Sequence, residues 1–210
     1  MSEASDPALR LATLLQQAGL PPLAPAQLAQ FAAYLGLLLK WNARTNLTAI
    51  RDPEGILARH FVESIACAQL LPPGIATLLD FGSGAGFPGI PLALCRPQIA
   101  VILAESQGKK AAFLAEALRV LGLPARVHAG RAETLAATFD CVTLRAVDHM
   151  DLALRAALPL VVLSGWLAVF TTTGELRAVQ SIAGPDWQWL PAHPLPGSEQ
   201  RILLLGRRAA

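Results

Sequence analysis

Between residues 6 and 71 the apolar positions recur at intervals of three and four, the repeat of one buried helix face. Asp6-Pro7 supplies an N-cap with proline at the first helical position, Gly19 closes that segment, and Pro21-Pro22 come next. Pro25 opens a second helix, in which Leu28, Phe31, Leu35, Leu38 and Leu39 form a stripe between Gln27 and Trp41. Asp52-Pro53 starts a third, running to about Leu71, and Pro72-Pro73-Gly74 ends the region. Three apolar-faced helices without a strand need another surface to pack on, so residues 1–72 read as a helical extension laid against the rest of the chain.

After Gly74 short apolar runs alternate with helical stretches. Ile75 to Phe81, Ile99 to Ala104, Ala125 to Ala129, Phe139 to Leu144 and Trp166 to Thr171 read as strands. Helices are expected at Gly89 to Leu94, at Gln107 to Leu121 with Gly122 as its stop, around Ala132 to Ala137, and at Asp148 to Leu158 and Glu175 to Ile182. The alternation predicts an α/β domain over residues 73–210, with a mostly parallel sheet covered on both faces. Trp187 to Leu190 and Arg201 to Leu205 are late strands joined only by His193-Pro194-Leu195-Pro196-Gly197, a hairpin that makes the last strand antiparallel.

The richest chemistry lies where the first strand ends, in Leu79-Asp80-Phe81-Gly82-Ser83-Gly84-Ala85-Gly86-Phe87-Pro88-Gly89. Glycine at alternate positions permits positive φ and leaves no Cβ to hold a ligand away from the main chain. Two frames fit. Gly84 to Gly89 matches the GxGxxG of dinucleotide sites, and Asp80 to Gly86 matches the acid-x-GxGxG loop of S-adenosylmethionine enzymes. Glu105, at the end of the second strand, suits the ribose hydroxyls of either ligand. Pro88 and Pro91 start the helix late, whereas a dinucleotide fold wants its third glycine inside the helix. Asp80 repels a pyrophosphate and suits a cation. Both features favour S-adenosylmethionine. The alternative, an NAD(P)-dependent reductase, needs a proton relay such as Tyr with Lys four residues on, and the only tyrosine, Tyr34, sits in the N-terminal helices.

Composition narrows the picture little further. With 53% hydrophobic and 15% charged residues the chain can fill a core, and a net charge of +2 leaves any nucleic-acid contact to a local patch. Cys67, Cys95 and Cys141 are too scattered for a disulfide framework and read as reduced thiols. The N-terminus, with Glu3 and Asp6, lacks the basic start of a signal peptide, and no apolar run reaches the roughly 18 residues of a membrane span. The expectation is an unprocessed, soluble, cytoplasmic monomer without membrane contact.

The chain resembles the bacterial small-subunit ribosomal RNA guanine-N7 methyltransferases, the RsmG/GidB family, from about Leu35 onwards. The resemblance is carried by Lys40-Trp41-Asn42, Asn46-Leu47-Thr48, Arg51-Asp52, Arg59-His60 and Ser64, then by the loop from Gly82 to Leu92. Arg96-Pro97, Lys109-Lys110 with Phe113-Leu114, Gly130-Arg131-Ala132-Glu133 and Arg145-Ala146 continue it. It implies a class I (Rossmann-like) methyltransferase fold, with a seven-stranded mostly parallel sheet and an N-terminal helical extension. It also implies methylation, from S-adenosylmethionine, of a guanine N7 in the 530 loop of 16S rRNA, within a 30S subunit or an assembly intermediate. Methylation of another RNA or of a small molecule is the neighbouring alternative. By the same resemblance Gly82 and Phe87 line the cofactor, Ala132 and Glu133 flank its adenine, and Arg145 stands at the methyl-donor end; the chemistry of the loop and of the second strand's end adds Asp80, Gly84 and Glu105 as cofactor contacts. The chain departs in having Glu63 and Glu105 where the family usually has Asp. It also has Thr171-Thr172-Thr173 in place of a Lys, and Gln200-Arg201 in place of an Arg-His pair.

N7 of guanine brings its own lone pair and no proton, so the reaction needs alignment rather than a general base. Thr143-Leu144-Arg145-Ala146 lacks the Asn/Asp-Pro-Pro-aromatic word that holds an exocyclic amine. Arg145 is the candidate catalytic residue, a positioning fork for guanine O6 or a phosphate unless it is spent in an ion pair with Asp80 or Asp148. Lys40, Arg44, Arg51 and Arg59 are candidate RNA contacts, with Lys109 and Arg131, while Trp41 among them reads as core. Asn42 and Asn46 read as loop-shaping residues. His60 and Glu63 are one helical turn apart, but His128, His149 and His193 are scattered, so no metal site is expected.

Overall fold

A computed structural model describes residues 6–147 and 149–210; Glu3 and Asp148 lie outside the described residues. The N-terminal region folds as α1 (Pro7–Gln17), α2 (Pro25–Asn42) and a third helix in three parts. That helix opens as α3 (Pro53–Gly55), passes through a π-helical stretch (Ile56–Phe61) and continues as α4 (Val62–Leu70). The expected start signals are in use: Asp6 accepts from the Ala8 amide and Asp52 from the Gly55 amide, filling donors that a helix start leaves free.

The remainder alternates as expected: β1 (Thr77–Phe81), α5 (Gly89–Cys95), β2 (Ala100–Ala104), α6 (Gly108–Leu121), β3 (Arg126–His128), β4 (Phe139–Arg145), α7 (Met150–Ala157), β5 (Val161–Thr172) and α8 (Leu176–Ala183). β6 (Trp187–Trp189), β7 (His193–Pro194) and β8 (Arg201–Arg208) complete it. Seven strands lie in the order β3-β2-β1-β4-β5-β8-β6, and the two-residue β7 adds an eighth alongside β8. β1 to β5 pair in parallel; β8 runs antiparallel between β5 and β6. The strand order reverses between β1 and β4, the crevice where open α/β sheets take their ligands.

Besides β7 inside the expected link and a β8 that runs on to Arg208, two stretches differ from the sequence pattern. Ala132 to Ala137 forms only a 3-10 turn, Ala132–Thr134. The chain there leaves the edge strand β3 and must reach β4 three places along the sheet, a span of about 14 Å that favours extended backbone over helix. β5 starts earlier than expected, at Val161, because a register shift beside Phe139 lets its first residues pair before Trp166.

Strand alternation feeds two cores. Leu78 joins the face covered by α1, α2, α4, α5 and α6, and Leu79 the face covered by α7 and α8. The N-terminal helices have no separate core: Leu11, Phe31, Tyr34 and Phe61 pack in one cluster with Leu78, Phe113 and Leu203. Polar side chains lock this arrangement. Gln27 and Gln30 of α2 donate to the carbonyls of Leu94 and Leu121, at the ends of α5 and α6, and Arg96 donates to those of Ala68 and Leu71. Trp41 packs edge-on against Phe113 and donates to Glu116, which gives it the core role its position suggested.

Phe61 touches Phe31, Tyr34 and Phe87, so it joins the helical extension to the glycine loop. Phe61→Ala is expected to lower unfolding free energy by about 3–5 kcal/mol in urea titrations; a loss below about 1 kcal/mol would mean that the extension packs independently of the sheet.

Candidate active site

A cavity of about 790 Å³ opens at the C-terminal ends of β1, β2 and β4, within the roughly 300–1,000 Å³ of small-molecule sites. Its walls come from the glycine loop (Gly82, Gly84, Phe87), the end of β2 (Glu105), the turn after β3 (Arg131, Ala132, Glu133) and the end of β4 (Arg145). The loop at Leu47–Ile50, with Arg59 and His60 from the π-helical stretch, completes it.

The glycine loop is held from three sides. The Ser83 amide donates to Ala104 O, and the Gly84 amide donates to Glu105, whose other oxygen accepts from Gln107 N. Beneath it the Tyr34 hydroxyl donates to Ala85 O, and a Cβ on Gly86 would meet that hydroxyl at 2.7 Å. At Gly84, by contrast, a Cβ would meet nothing closer than 3.9 Å, so the main chain there offers a bare surface to the cavity. Bare backbone, the Glu105 carboxylate and the Ala132-Glu133 turn together form a cradle suited to an adenosine.

The structure corrects two expectations about this loop. Asp80 does not line the cavity: it is 1% exposed, accepting from the Gly89 amide at 3.1 Å and from the Thr143 hydroxyl at 2.7 Å. Its charge therefore acts on the loop's foundation and not directly on a ligand. Burial pushes its pKa up to about 6 against those hydrogen bonds. Gly89 is the first residue of α5, and a Cβ on it would lie 2.3 Å from Leu103 and 2.6 Å from Asp80. It thus gives the close helix-to-strand approach that a late helix start would deny.

Arg145 reaches neither Asp80 nor open solvent. Its side chain is 8% exposed and pairs at 2.6 Å with Glu63, whose side chain is 1% exposed and whose second oxygen accepts from Arg201 Nε at 2.6 Å. Arg145 also donates to Ser64 Oγ at 3.0 Å and to the carbonyls of Arg59 and His60, and its guanidinium lies 4.9 Å from the Phe170 ring centre. Burial lowers its pKa, and the Glu63 charge opposes that. Its Nη1 and Nη2 groups are committed to protein partners, so the fork expected to face a base or a phosphate is turned inwards. Just beyond, Ala146 (φ 49°) and His149 (φ 52°) take left-handed backbone, strain that recurs at functional sites.

His60 stacks on Phe87 with centroids 4.7 Å apart, places Nε2 2.7 Å from Thr48 Oγ1, and faces Arg145 through Nδ1. Burial, then the charges of Arg145 and Arg59, lower its pKa to about 3, so the ring is neutral at pH 7. Asn42 shapes the Leu47–Ile50 loop as expected, accepting from the Leu47 and Thr48 amides. Asn46 is φ 22° and accepts from Arg51.

The candidate RNA cations divide. Arg59 and Arg131 line the cavity; Lys40, Arg44, Arg51 and Lys109 are exposed but outside it. Lys110 lines it instead of Lys109, one residue along α6, which only the helix phase could have told. Glu63, Tyr34, Thr48 and Lys110 are the participants that sequence reasoning left without a role. Among the described residues no three or more His, Cys, Asp or Glu gather as a metal site, and no helix is long and apolar enough to cross a membrane.

Comparison with known proteins identifies the architecture and its relatives. The family model described as GidB, rRNA small subunit methyltransferase G, matches residues 27–176. A ribosomal RNA small subunit methyltransferase G of Roseiflexus sp. (strain RS-1) is 47% identical over 199 residues, covering 88% of this chain and 84% of the relative. That of Xanthomonas euvesicatoria pv. vesicatoria (strain 85-10) is 50% identical over 129 residues, covering 58% of this chain and 60% of its own length. Among solved structures, a putative O-methyltransferase from Klebsiella pneumoniae has a TM-score of 0.61 at 17% identity, covering 94% of this chain and 95% of that one. P. horikoshii TYW2, solved in complex with MeSAdo, has a TM-score of 0.59 at 13% identity, covering 70% and 62%. These likenesses show a Rossmann-like class I methyltransferase fold.

Two outcomes test the buried network. Arg145→Ala leaves a buried carboxylate short of its main partner and is expected to cost about 3–5 kcal/mol in denaturant titrations, more than Arg201→Ala, whose side chain is 29% exposed; equal costs would place the weight elsewhere. Because the folded-state pKa of Asp80 is raised, its contribution to stability is greatest below about pH 4 and is lost as pH rises through about 6. Between those values the wild type should lose on the order of 3 kcal/mol relative to Asp80→Asn. A pH-independent difference between the two would contradict the assignment.

Proposed function

The chain belongs to the rRNA small subunit methyltransferase G (GidB) family, and from that premise we propose that it moves a methyl group from S-adenosylmethionine to N7 of a guanine in the 530 loop of 16S rRNA. The observation that carries the reading is the cradle of bare Gly84 backbone, Glu105 and the Ala132-Glu133 turn, opening into the same cavity as Arg59, His60 and Thr48. One end suits an adenosine and the other a base, which a two-substrate transfer requires.

S-adenosylmethionine supplies an electrophilic methyl on a sulfonium, and the protein's task is alignment. Glu105 is the group to accept ribose hydroxyls, Ala132 and Glu133 to flank the adenine, and the Gly82 to Gly84 backbone with Phe87 to form the wall beside the methionyl part. Alignment of this kind can supply about 7–11 kcal/mol of a barrier. The state of the ionisable groups fits a base that gives up no proton. Glu105 is engaged by two amides, Glu133 pairs with Arg131 at 3.5 Å, and His60, with a pKa near 3, is a weak base whose Nδ1 faces a guanidinium. Arg145 serves as a positioning residue: through Glu63 and the carbonyls of Arg59 and His60 it sets the wall against which a base rests.

Arg59, Lys110 and Arg131 at the cavity, with exposed Lys40, Arg44, Arg51 and Lys109 beyond it, are the groups to meet RNA phosphates, in a 30S subunit or an assembly intermediate. The protein acts in this reading as a cytoplasmic monomer. Incubation with S-adenosylmethionine and 30S particles from a strain lacking this methylation, then borohydride and aniline cleavage with primer extension, should give a protein-dependent stop in the 530 loop. A stop elsewhere, or methyl incorporation without an N7-specific stop, would refute the proposal.

A further inference from the structure

The wall of the cavity at Thr48 is more tightly specified than a loop needs to be. Asn42 brackets the residue, accepting from the Leu47 amide at 2.7 Å and the Thr48 amide at 3.0 Å and donating to Thr48 O at 3.1 Å. Thr48 lines the cavity, half-buried, with Oγ1 2.7 Å from His60 Nε2 and accepting from the Ile50 amide at 3.2 Å.

The direction of the bond between His60 and Thr48 is set by the other side of the ring. His60 Nδ1 lies 3.3 Å from an Arg145 NH2 group, and a guanidinium has only donors to offer. Nδ1 must therefore carry the lone pair, which puts the proton on Nε2 and makes the ring a donor to Thr48 Oγ1. The ring is held in this pose by Phe87, stacked on it at 4.7 Å. Thr48 Oγ1 then accepts two hydrogen bonds, from His60 and from Ile50, and its own proton donates to no described residue. The result is a hydroxyl whose lone pairs are occupied and whose free role is that of a donor into the cavity.

We infer that the Thr48 hydroxyl selects guanine by donating a hydrogen bond to O6 of the target base, beside the N7 that is methylated. The inference rests on the proposed function and deepens it. Guanine presents O6 as an acceptor next to N7, where adenine presents an amino donor. A hydroxyl with its lone pairs already filled can only donate, so it accepts guanine and leaves adenine facing an unpaired donor. The Nη1 and Nη2 groups of Arg145, the two prongs of its fork, do not supply this contact, because they are held by Glu63, Ser64, His60 and the Arg59 carbonyl. Its role is upstream, fixing the His60 tautomer that turns Thr48 outwards.

The test compares the wild type with Thr48→Val, which keeps the shape and removes the hydroxyl, and Thr48→Ser, which restores it. Each acts on RNA carrying guanine or 2-aminopurine at the target position; 2-aminopurine keeps N7 and lacks O6. Affinity for S-adenosylhomocysteine and for both RNAs is measured alongside kcat/KM. Thr48→Val should lower kcat/KM on guanine RNA by about ten- to a hundredfold and weaken binding of that RNA, with no change on 2-aminopurine RNA. Thr48→Ser should recover most of the loss, and S-adenosylhomocysteine affinity should be unchanged throughout. Equal losses on both RNAs, or none on guanine, with the wild type active, would overturn the inference alone. A wild type that methylates neither RNA would overturn the proposed function, and the inference with it.

Discussion

Glu63 lies out of water between Arg145 and Arg201, and the shape of the cavity depends on that arrangement. The carboxylate belongs to the third N-terminal helix, one arginine to the end of β4 and the other to the start of β8. Withdrawing Glu63 and Arg145 from water, with Arg201 only partly covered, is a poor way to gain stability; what it supplies here is position. Arg145 fixes the carbonyls of Arg59 and His60 in the π-helical stretch, and π turns gather at functional sites. The His60 ring in turn orients Thr48. A chain of contacts thus runs from the sheet, through one guanidinium, to the wall where a substrate base would rest.

The glycine loop obeys the same logic from the opposite side. Its exposed main chain is anchored by side chains arriving from three elements: Glu105 beyond β2 on Gly84, Asp80 of β1 on Gly89, and Tyr34 of α2 on Ala85. The N-terminal helices therefore do more than cover apolar surface. Through Tyr34 and Phe61 they support the loop that would hold the cofactor, and through Arg59, His60 and Thr48 they build the facing wall.

Much of this is legible from local pattern. The three-and-four spacing through residue 71, the strand and helix alternation after it and the proline and glycine boundaries mark the elements, and the phrase around Phe87-Pro88-Gly89-Ile90-Pro91-Leu92 points to the family. The less legible features are relations between distant residues. Glu63 and Arg145 are 82 positions apart, and nothing near Arg145 in the chain marks which acid it meets. The π-helical stretch has the composition of an ordinary helix. Asp80 misleads for a different reason. It shares the strand parity of Leu78, whose side chain packs under the helices, so the period-two rule points away from the cavity while the motif points towards it. Gly89 begins α5 where the element pattern placed it, and its flanking prolines do not keep it out of the helix as the comparison with the dinucleotide frame took them to do.

The central claim is that the cleft takes S-adenosylmethionine, with Glu105 holding its ribose, and equilibrium titration calorimetry tests it most directly. The wild type should bind S-adenosylmethionine and not NAD, and Glu105→Gln should weaken that binding by about tenfold or more. Preference for NAD, or unchanged S-adenosylmethionine affinity in Glu105→Gln, would contradict the account.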